Sequence, residues 1–227
     1  MYFINSKLDA LFNGFDVIVF DLNGLLVDDE AIQLRATNTA LAAYGVKITE
    51  NNWIEQCVGH KPSEYLPSVL PGASSSDVAQ LIRNKDIAYA TLIEGRVKEM
   101  ARPGAMSLLE YLTDSNKILA VATSTTKTGT RAILGESGLN IWHNFALIVT
   151  GDEVERAKPN PEIYLKVRSM LGNTLTYLAL EDSASGVVSA KAAAMTCVAV
   201  PSRFTDSQDF CCADIIVTSL ERDASIR

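Results

Sequence analysis

The sequence has no apolar stretch approaching the length of a membrane span, no Lys/Arg cluster and no C-x-x-C spacing. The first absence is joined by an N-terminus, Met1-Tyr2-Phe3-Ile4-Asn5-Ser6-Lys7, that lacks the basic start and apolar core of a signal peptide. Together they point to a cytoplasmic protein with no membrane partner. The second absence, with a formal net charge of -7, argues against a nucleic acid held through its phosphates. An anionic small ligand would then need a local positive charge or a metal. The third leaves Cys57, Cys197, Cys211 and Cys212 as buried reduced thiols, rather than disulfides or zinc ligands.

What is present is enough apolar material for a sizeable core: 227 residues, 48% of them hydrophobic, forming one large domain or one domain that carries an insertion. Its most telling stretch is Val17-Ile18-Val19-Phe20-Asp21-Leu22-Asn23-Gly24-Leu25-Leu26-Val27-Asp28. Four branched or aromatic residues in a row read as a strand buried on both faces, with Asp21 at its carboxyl end, where α/β sheets place their ligands. Asn23-Gly24 between two apolar runs reads equally as a hairpin turn, with Asp21 only a turn residue.

Residues 29–98 read as helices without strands. Ala31, Leu34, Asn38, Leu41 and Ala42 fall on one helical face, and Thr49 caps a second, short helix. Pro62 starts a third, which Pro67 interrupts, and Ser76-Asp77 opens a long amphipathic run with Val78, Leu81, Ile82, Tyr89 and Leu92 on its stripe. From Arg102-Pro103-Gly104 onward, helices over about 104–114, 127–137, up to Leu171 and up to Ala194 alternate with strands at 118–122, 146–149, 176–180 and 197–200. Such alternation predicts a Rossmann-like, doubly wound parallel sheet reached by right-handed crossovers. The α/β core then comprises 1–28 and 99–227, and the all-α segment 29–98 is inserted after its first strand.

In a parallel sheet the strand carboxyl ends share one edge, so Asp21, Thr123, Ser124, Lys158, Glu181 and Asp182 are brought together. Singly, each has an ordinary structural role: turn residue for Asp21, helix N-cap for Thr123, Ser124, Asp182 or Ser183, solvated charge for Lys158. As a group they make a reactive constellation.

The order and spacing of Asp21-x-Asn23-Gly24-Leu25-Leu26-x-Asp28, Thr123, Lys158-Pro159-Asn160-Pro161-Glu162-Ile163-Tyr164 and Glu181-Asp182-Ser183-x-x-Gly186 resemble the four motifs of the haloacid dehalogenase superfamily. The inserted helices resemble the cap of its beta-phosphoglucomutase-like and phosphoglycolate-phosphatase-like branch. The resemblance implies a Mg²⁺-dependent phosphatase or phosphomutase of small phosphorylated metabolites. Asp21 would be the nucleophile, forming an aspartyl-phosphate and dividing one hard displacement into two easier ones. Asp21 and Asp182, with Glu181 as a further candidate, are hard oxygen ligands of the kind Mg²⁺ prefers. By the same resemblance, residue 23 offers the metal its backbone carbonyl. Lys158 and the Thr123 hydroxyl would hold the phosphate, with Ser124 beside it.

The chain departs from the family at Asn23, where most phosphatases and mutases of the superfamily carry an Asp as general acid/base. A carboxamide hydrogen-bonds but transfers no proton, and losing such a group costs about 10²–10⁴-fold in rate. A deliberate substitution, a slow or divergent enzyme and a non-catalytic binder of phosphorylated metabolites all remain open, and Asn23→Asp is expected to raise turnover. Substrate choice is expected from the cap, whose Gly59-His60-Lys61 break makes His60 and Lys61 candidate substrate contacts. Their alternative is a solvated interhelical turn.

Overall fold

The computed structural model describes residue 2 and residues 5–227; Met1, Phe3 and Ile4, which belong to the stretch read for a signal peptide, lie outside the described residues. In chain order the elements are α1 (Ser6–Asn13), β1 (Val17–Phe20), α2 (Glu30–Leu41), α3 (Glu50–Gln56), α4 (Pro62–Val69), α5 (Ser75–Ile93), α6 (Ala105–Asp114), β2 (Ile118–Ala122), α7 (Lys127–Leu134), β3 (Leu147–Val149), α8 (Glu162–Leu171), β4 (Tyr177–Glu181), α9 (Ala184–Ala192), β5 (Thr196–Ala199) and β6 (Ile215–Ile216). The strands form one sheet in the order β3-β2-β1-β4-β5-β6, and every pairing is parallel. No helix among the described residues is long and apolar enough to cross a membrane.

β1 is the centre of that sheet because all four of its side chains are apolar and both faces are covered. Ile18 and Phe20 join one apolar cluster, with Leu119, Val121, Leu178 and Leu180. Val17 and Val19 join the other, with Ala120, Ala122, Tyr177 and Ala179. Val17 pairs in register with Ile118 on one side and Tyr177 on the other. The hairpin reading of Asn23-Gly24 therefore fails as a strand connection. The residues still make a tight turn beside the strand end, closed by Gly24 N donating to the Val27 carbonyl at 2.8 Å. Successive strands run to one side from β1 and to the other from β4, so the chain reverses direction between those two, where a sheet of this kind opens a crevice.

α2 to α5 enclose a third apolar cluster, including Leu41, Trp53, Tyr65, Leu66 and Leu81, into which Phe204 from the loop after β5 also packs. The buried face of α2 is not the one periodicity suggested. Glu30, Gln33, Ala36, Thr37, Ala40 and Leu41 are buried, whereas Ala31 and Ala42 are exposed. Glu30 and Gln33 look onto a crevice rather than a core, and Thr37 bonds the Gln33 carbonyl, none of which apolar periodicity detects.

Pro67 lies inside α4 without ending it, because buried Tyr65 and Leu66 hold the short helix against its neighbours. α5 starts one residue early, capped by Ser74, whose hydroxyl accepts from Asp77 N. α7 stops at Leu134, where Gly135 and Gly138 form a turn. Of the four cysteines expected to be buried, Cys57 and Cys197 are, but Cys211 and Cys212 are exposed in the loop before β6. Neither α1 nor the short β6 was expected from the sequence.

Candidate active site

Three of the strand ends expected to converge do so around Lys158. Its ammonium donates to Asp21 Oδ1 at 2.6 Å, to Glu181 Oε1 at 2.6 Å and to the Ala122 carbonyl at 2.9 Å, and it is 3% exposed. These partners stand at the ends of β1, β4 and β2, so one side chain from the loop before α8 joins three strands. Burial alone would lower the Lys158 pKa, but Asp21 and Glu181 outweigh it and raise it.

Glu181 is wholly enclosed and fully engaged. Oε1 accepts from Lys158 and from the Tyr164 hydroxyl at 2.6 Å, and Oε2 accepts from Asp182 N and the Ser183 hydroxyl. Asp182 differs: its carboxyl has no hydrogen-bond donor among the described residues. Burial pushes its pKa well up, and the nearby carboxylates of Asp21 and Glu181 push it further. Asp21 is likewise raised by burial to about 7, against the pull of Lys158. Ligand oxygens of Asp21, Glu181 and Asp182 all lie within 4.8 Å of one another. Buried carboxylates in excess of the cations beside them, all hard oxygen donors, are a set that a divalent cation such as Mg²⁺ fits.

Two glycines in the motifs are there for clearance. A Cβ on Gly24, at φ +79°, would sit 2.0 Å from Asp182 Oδ2, and one on Gly186 would sit 2.0 Å from the Glu181 carboxyl carbon. Both carboxylates thus rest directly against backbone. The turn carrying Gly24 is pinned by Arg102, whose guanidinium donates to the carbonyls of Gly24 (2.6 Å), Val200 (3.0 Å) and Pro201 (3.2 Å). Arg102, which in the sequence only marks where the alternation of helices and strands begins, is therefore a brace of the site.

A cavity of about 320 Å³ lies between this strand edge and the helices α2 to α5. Asp21, Asn23, Thr123, Ser124, Lys158 and Asp182 line its floor, and His60 and Lys61 its rim; Glu181 does not line the cavity but joins the group from behind, through Lys158. Thr123 is buried, and neither it nor Ser124 caps a helix; Thr126 caps α7 and Ser183 caps α9. Lys61 is turned away from solvent: its ammonium donates to the carbonyls of Gly151 (2.8 Å) and Val154 (3.3 Å). His60 is exposed, with Nδ1 3.7 Å from Glu64.

A family model of haloacid dehalogenase-like hydrolases matches residues 18–200. The chain belongs to that family. It is 30% identical to protein CbbY of Rhodobacter capsulatus, over 92% of this chain and 95% of that one. It is 31% identical to the putative phosphatase YhcW of Bacillus subtilis, over 85% of this chain and 86% of that one. Among solved structures, an aspartate-to-asparagine mutant of CbbY from Rhodobacter sphaeroides, in complex with xylulose-(1,5)bisphosphate, superposes with a TM-score of 0.82 at 27% identity, covering 91% of this chain and 95% of that one. The chain is thus a haloacid dehalogenase-like enzyme of the phosphatase and phosphomutase branch that its motifs resemble.

For this haloacid dehalogenase-like chain, sequence reasoning passed over the polar wall of the cavity. Glu30, Gln33, Lys85 and Tyr89, all buried, face it from α2 and α5. Glu30 accepts from Trp53 Nε1 at 2.8 Å, and burial raises its carboxyl to about 8. Their signal in sequence is faint: polar residues at positions 30, 33 and 37 share a helical face, which looks like a solvated surface until something packs over it.

Proposed function

We propose that the protein is a Mg²⁺-dependent phosphatase of small phosphorylated metabolites, sugar phosphates in particular, acting through an aspartyl-phosphate on Asp21. The observation that carries this is the Asp21–Lys158–Glu181 triad at the reversal point of the sheet, with a third buried carboxylate, Asp182, at the floor of the cavity. Asp21 Oδ1 is held by Lys158, which leaves Oδ2 to attack phosphorus as the ester P–O bond breaks, the alkoxide departing as an alcohol with a proton taken from water. Lys158 and the Thr123 and Ser124 region offset and bind the phosphate oxygens, while water attacks the acyl phosphate to release phosphate and regenerate Asp21. Asp21, Asp182 and the backbone carbonyl of Asn23 would hold the Mg²⁺; it would supply charge neutralisation between carboxylate and phosphate. Glu181, with both oxygens already bonded, would serve the site by holding Lys158.

The helices of 29–98 would act as the cap that closes over the substrate and excludes water. The polar wall of Glu30, Gln33 and Lys85 suits a hydroxylated leaving group better than an apolar one. The CbbY complex with a bisphosphorylated sugar supports that substrate class. Asn23 favours one second reading, a binder with slow turnover, because an amide neither gives nor takes a proton.

The test is release of inorganic phosphate from a panel of sugar and polyol phosphates. Mg²⁺-dependent release, removed by EDTA and by Asp21→Asn, is expected. A panel on which the native protein releases no more phosphate than Asp21→Asn would overturn the reading, and isomerised product without free phosphate would point to a phosphomutase.

A further inference from the structure

Residue 23 is the point at which this chain departs from its family, and the structure surrounds it with a specific set of partners. Asn23 Nδ2 donates to Asp29 Oδ2 at 2.7 Å. On its other side, Asn23 Oδ1 accepts from the Thr125 hydroxyl at 2.5 Å and, more distantly, from the Thr123 hydroxyl at 3.5 Å. A carboxylate only accepts, so the amide nitrogen must face Asp29 and the orientation of the carboxamide is determined by its surroundings.

Asp29 itself is rigidly built. It has no exposure, and Oδ2 also collects the Tyr89 hydroxyl at 2.6 Å and Gln33 Nε2 at 2.9 Å, while Oδ1 is buried with no partner among the described residues. Gln33 is in turn held by Lys85 Nζ at 2.6 Å. A continuous run of bonds therefore leads from α5, through Lys85, Gln33 and Tyr89, to the start of α2 and so to the residue beside the nucleophile.

We infer that Asp29 is a positioning residue, held by the cap helices, that fixes the Asn23 carboxamide with its carbonyl toward Thr125 and its remaining N–H free to meet the leaving-group oxygen, and that residues 23 and 29 work only as a matched amide–carboxylate pair. The inference rests on the phosphatase reading for its catalytic half and on the hydrogen bonds alone for its structural half. It also changes the expectation for Asn23→Asp. That substitution by itself sets two carboxylate oxygens at hydrogen-bond distance with no donor between them, one of them on Asp29, which has no exposure. Exchanging the pair, so that an amide at 29 donates to an acid at 23, restores that one bond, at the cost of the Gln33 and Tyr89 donations to the same atom, and places the family's usual acid/base group at the site.

The experiment is a double-mutant cycle of Asn23→Asp, Asp29→Asn and both together, read at pH 8 by thermal unfolding and by kcat and KM for phosphate release. Asn23→Asp alone is expected to lower Tm by about 4–8 °C, with the double variant recovering part of it. The double variant is expected to exceed Asn23→Asp in kcat by about 10²-fold, with KM little changed, a split that a purely structural defect would not produce. Additive Tm changes, or Asn23→Asp alone turning over as fast as the double variant, would overturn the inference. If no form releases phosphate from any substrate, the phosphatase reading fails, and the pairing of residues 23 and 29 is still decided by the unfolding cycle.

Discussion

Replacing Lys158 by Met nearly keeps the volume of the side chain and removes its charge together with the three hydrogen bonds it donates, which makes it the sharpest probe of the site. In the native protein one ammonium, 3% exposed, lies 2.6 Å from each of two buried carboxylates. Removing one partner of a buried ion pair costs about 3–5 kcal/mol, because the remaining charge has neither water nor counter-charge. The carboxyls have an escape, which is to bind protons. Asp21 is already raised by burial to about 7 with Lys158 in place, and it rises further without it. A carboxyl raised in the folded state makes that state bind more protons than the unfolded one, so stability falls as pH rises, by about 1.4 kcal/mol per pH unit for each such group until its folded pKa is passed. The loss caused by Lys158→Met should therefore be small near pH 5 and reach about 3–5 kcal/mol near pH 8. Urea unfolding of both forms at the two pH values measures it. A loss under about 1 kcal/mol at pH 8, or an equal loss at both, would refute the reasoning. Phosphate release should fall at least about 10²-fold, the cost of deleting one charge-stabilising donor.

Three further outcomes are expected. Without metal, Tm should fall as pH rises from about 4 toward 8, because Asp21 and Glu30 stay protonated in the folded state to about 7 and about 8 while their unfolded counterparts ionise; added Mg²⁺ should stabilise more at pH 8 than at pH 5, and a metal-free Tm that climbs over this range would contradict it. Lys61→Met removes two bonds that tie the rim of the cavity to the Gly151 and Val154 carbonyls, so KM for the substrate should rise several-fold with Tm nearly unchanged; steady-state kinetics checks it, and an unchanged KM makes Lys61 an ordinary surface contact. Gly24→Ala drives a Cβ into Asp182 and adds about 1–2 kcal/mol of left-handed strain, and should weaken Mg²⁺ affinity about tenfold or more, as read from Tm against metal concentration; native-like affinity would show that Asp182 is not a ligand.

Several features were legible from residue order because they depend on local pattern. The unbroken apolar run of β1 can only be covered on both faces, and strands alternating with helices can only return in parallel, so the strand ends bearing Asp21, Thr123 and Asp182 had to share an edge. Thr49, Pro62 and Ser183 mark helix starts by their own hydrogen-bonding or backbone geometry, and each does so in the structure. Periodicity misled on α2, where half of the buried face is polar, and cysteine spacing misled on Cys211 and Cys212, whose exposure it does not decide.

The sequence by itself determined the parallel sheet, the place of the reactive edge and the identity of the residues along it, since these follow from the burial demands of short segments. Tertiary structure alone decided what each of those residues touches. Glu181 and Asp182 are adjacent in sequence, yet one is saturated by Lys158, Tyr164 and Ser183 and the other has no donor among the described residues. Asn23, an oddity in the chain, becomes half of a pair only because α5 holds Tyr89 and Lys85 against the start of α2. Contacts of this kind join residues tens of positions apart, and they are settled by how whole helices pack, which no local pattern encodes.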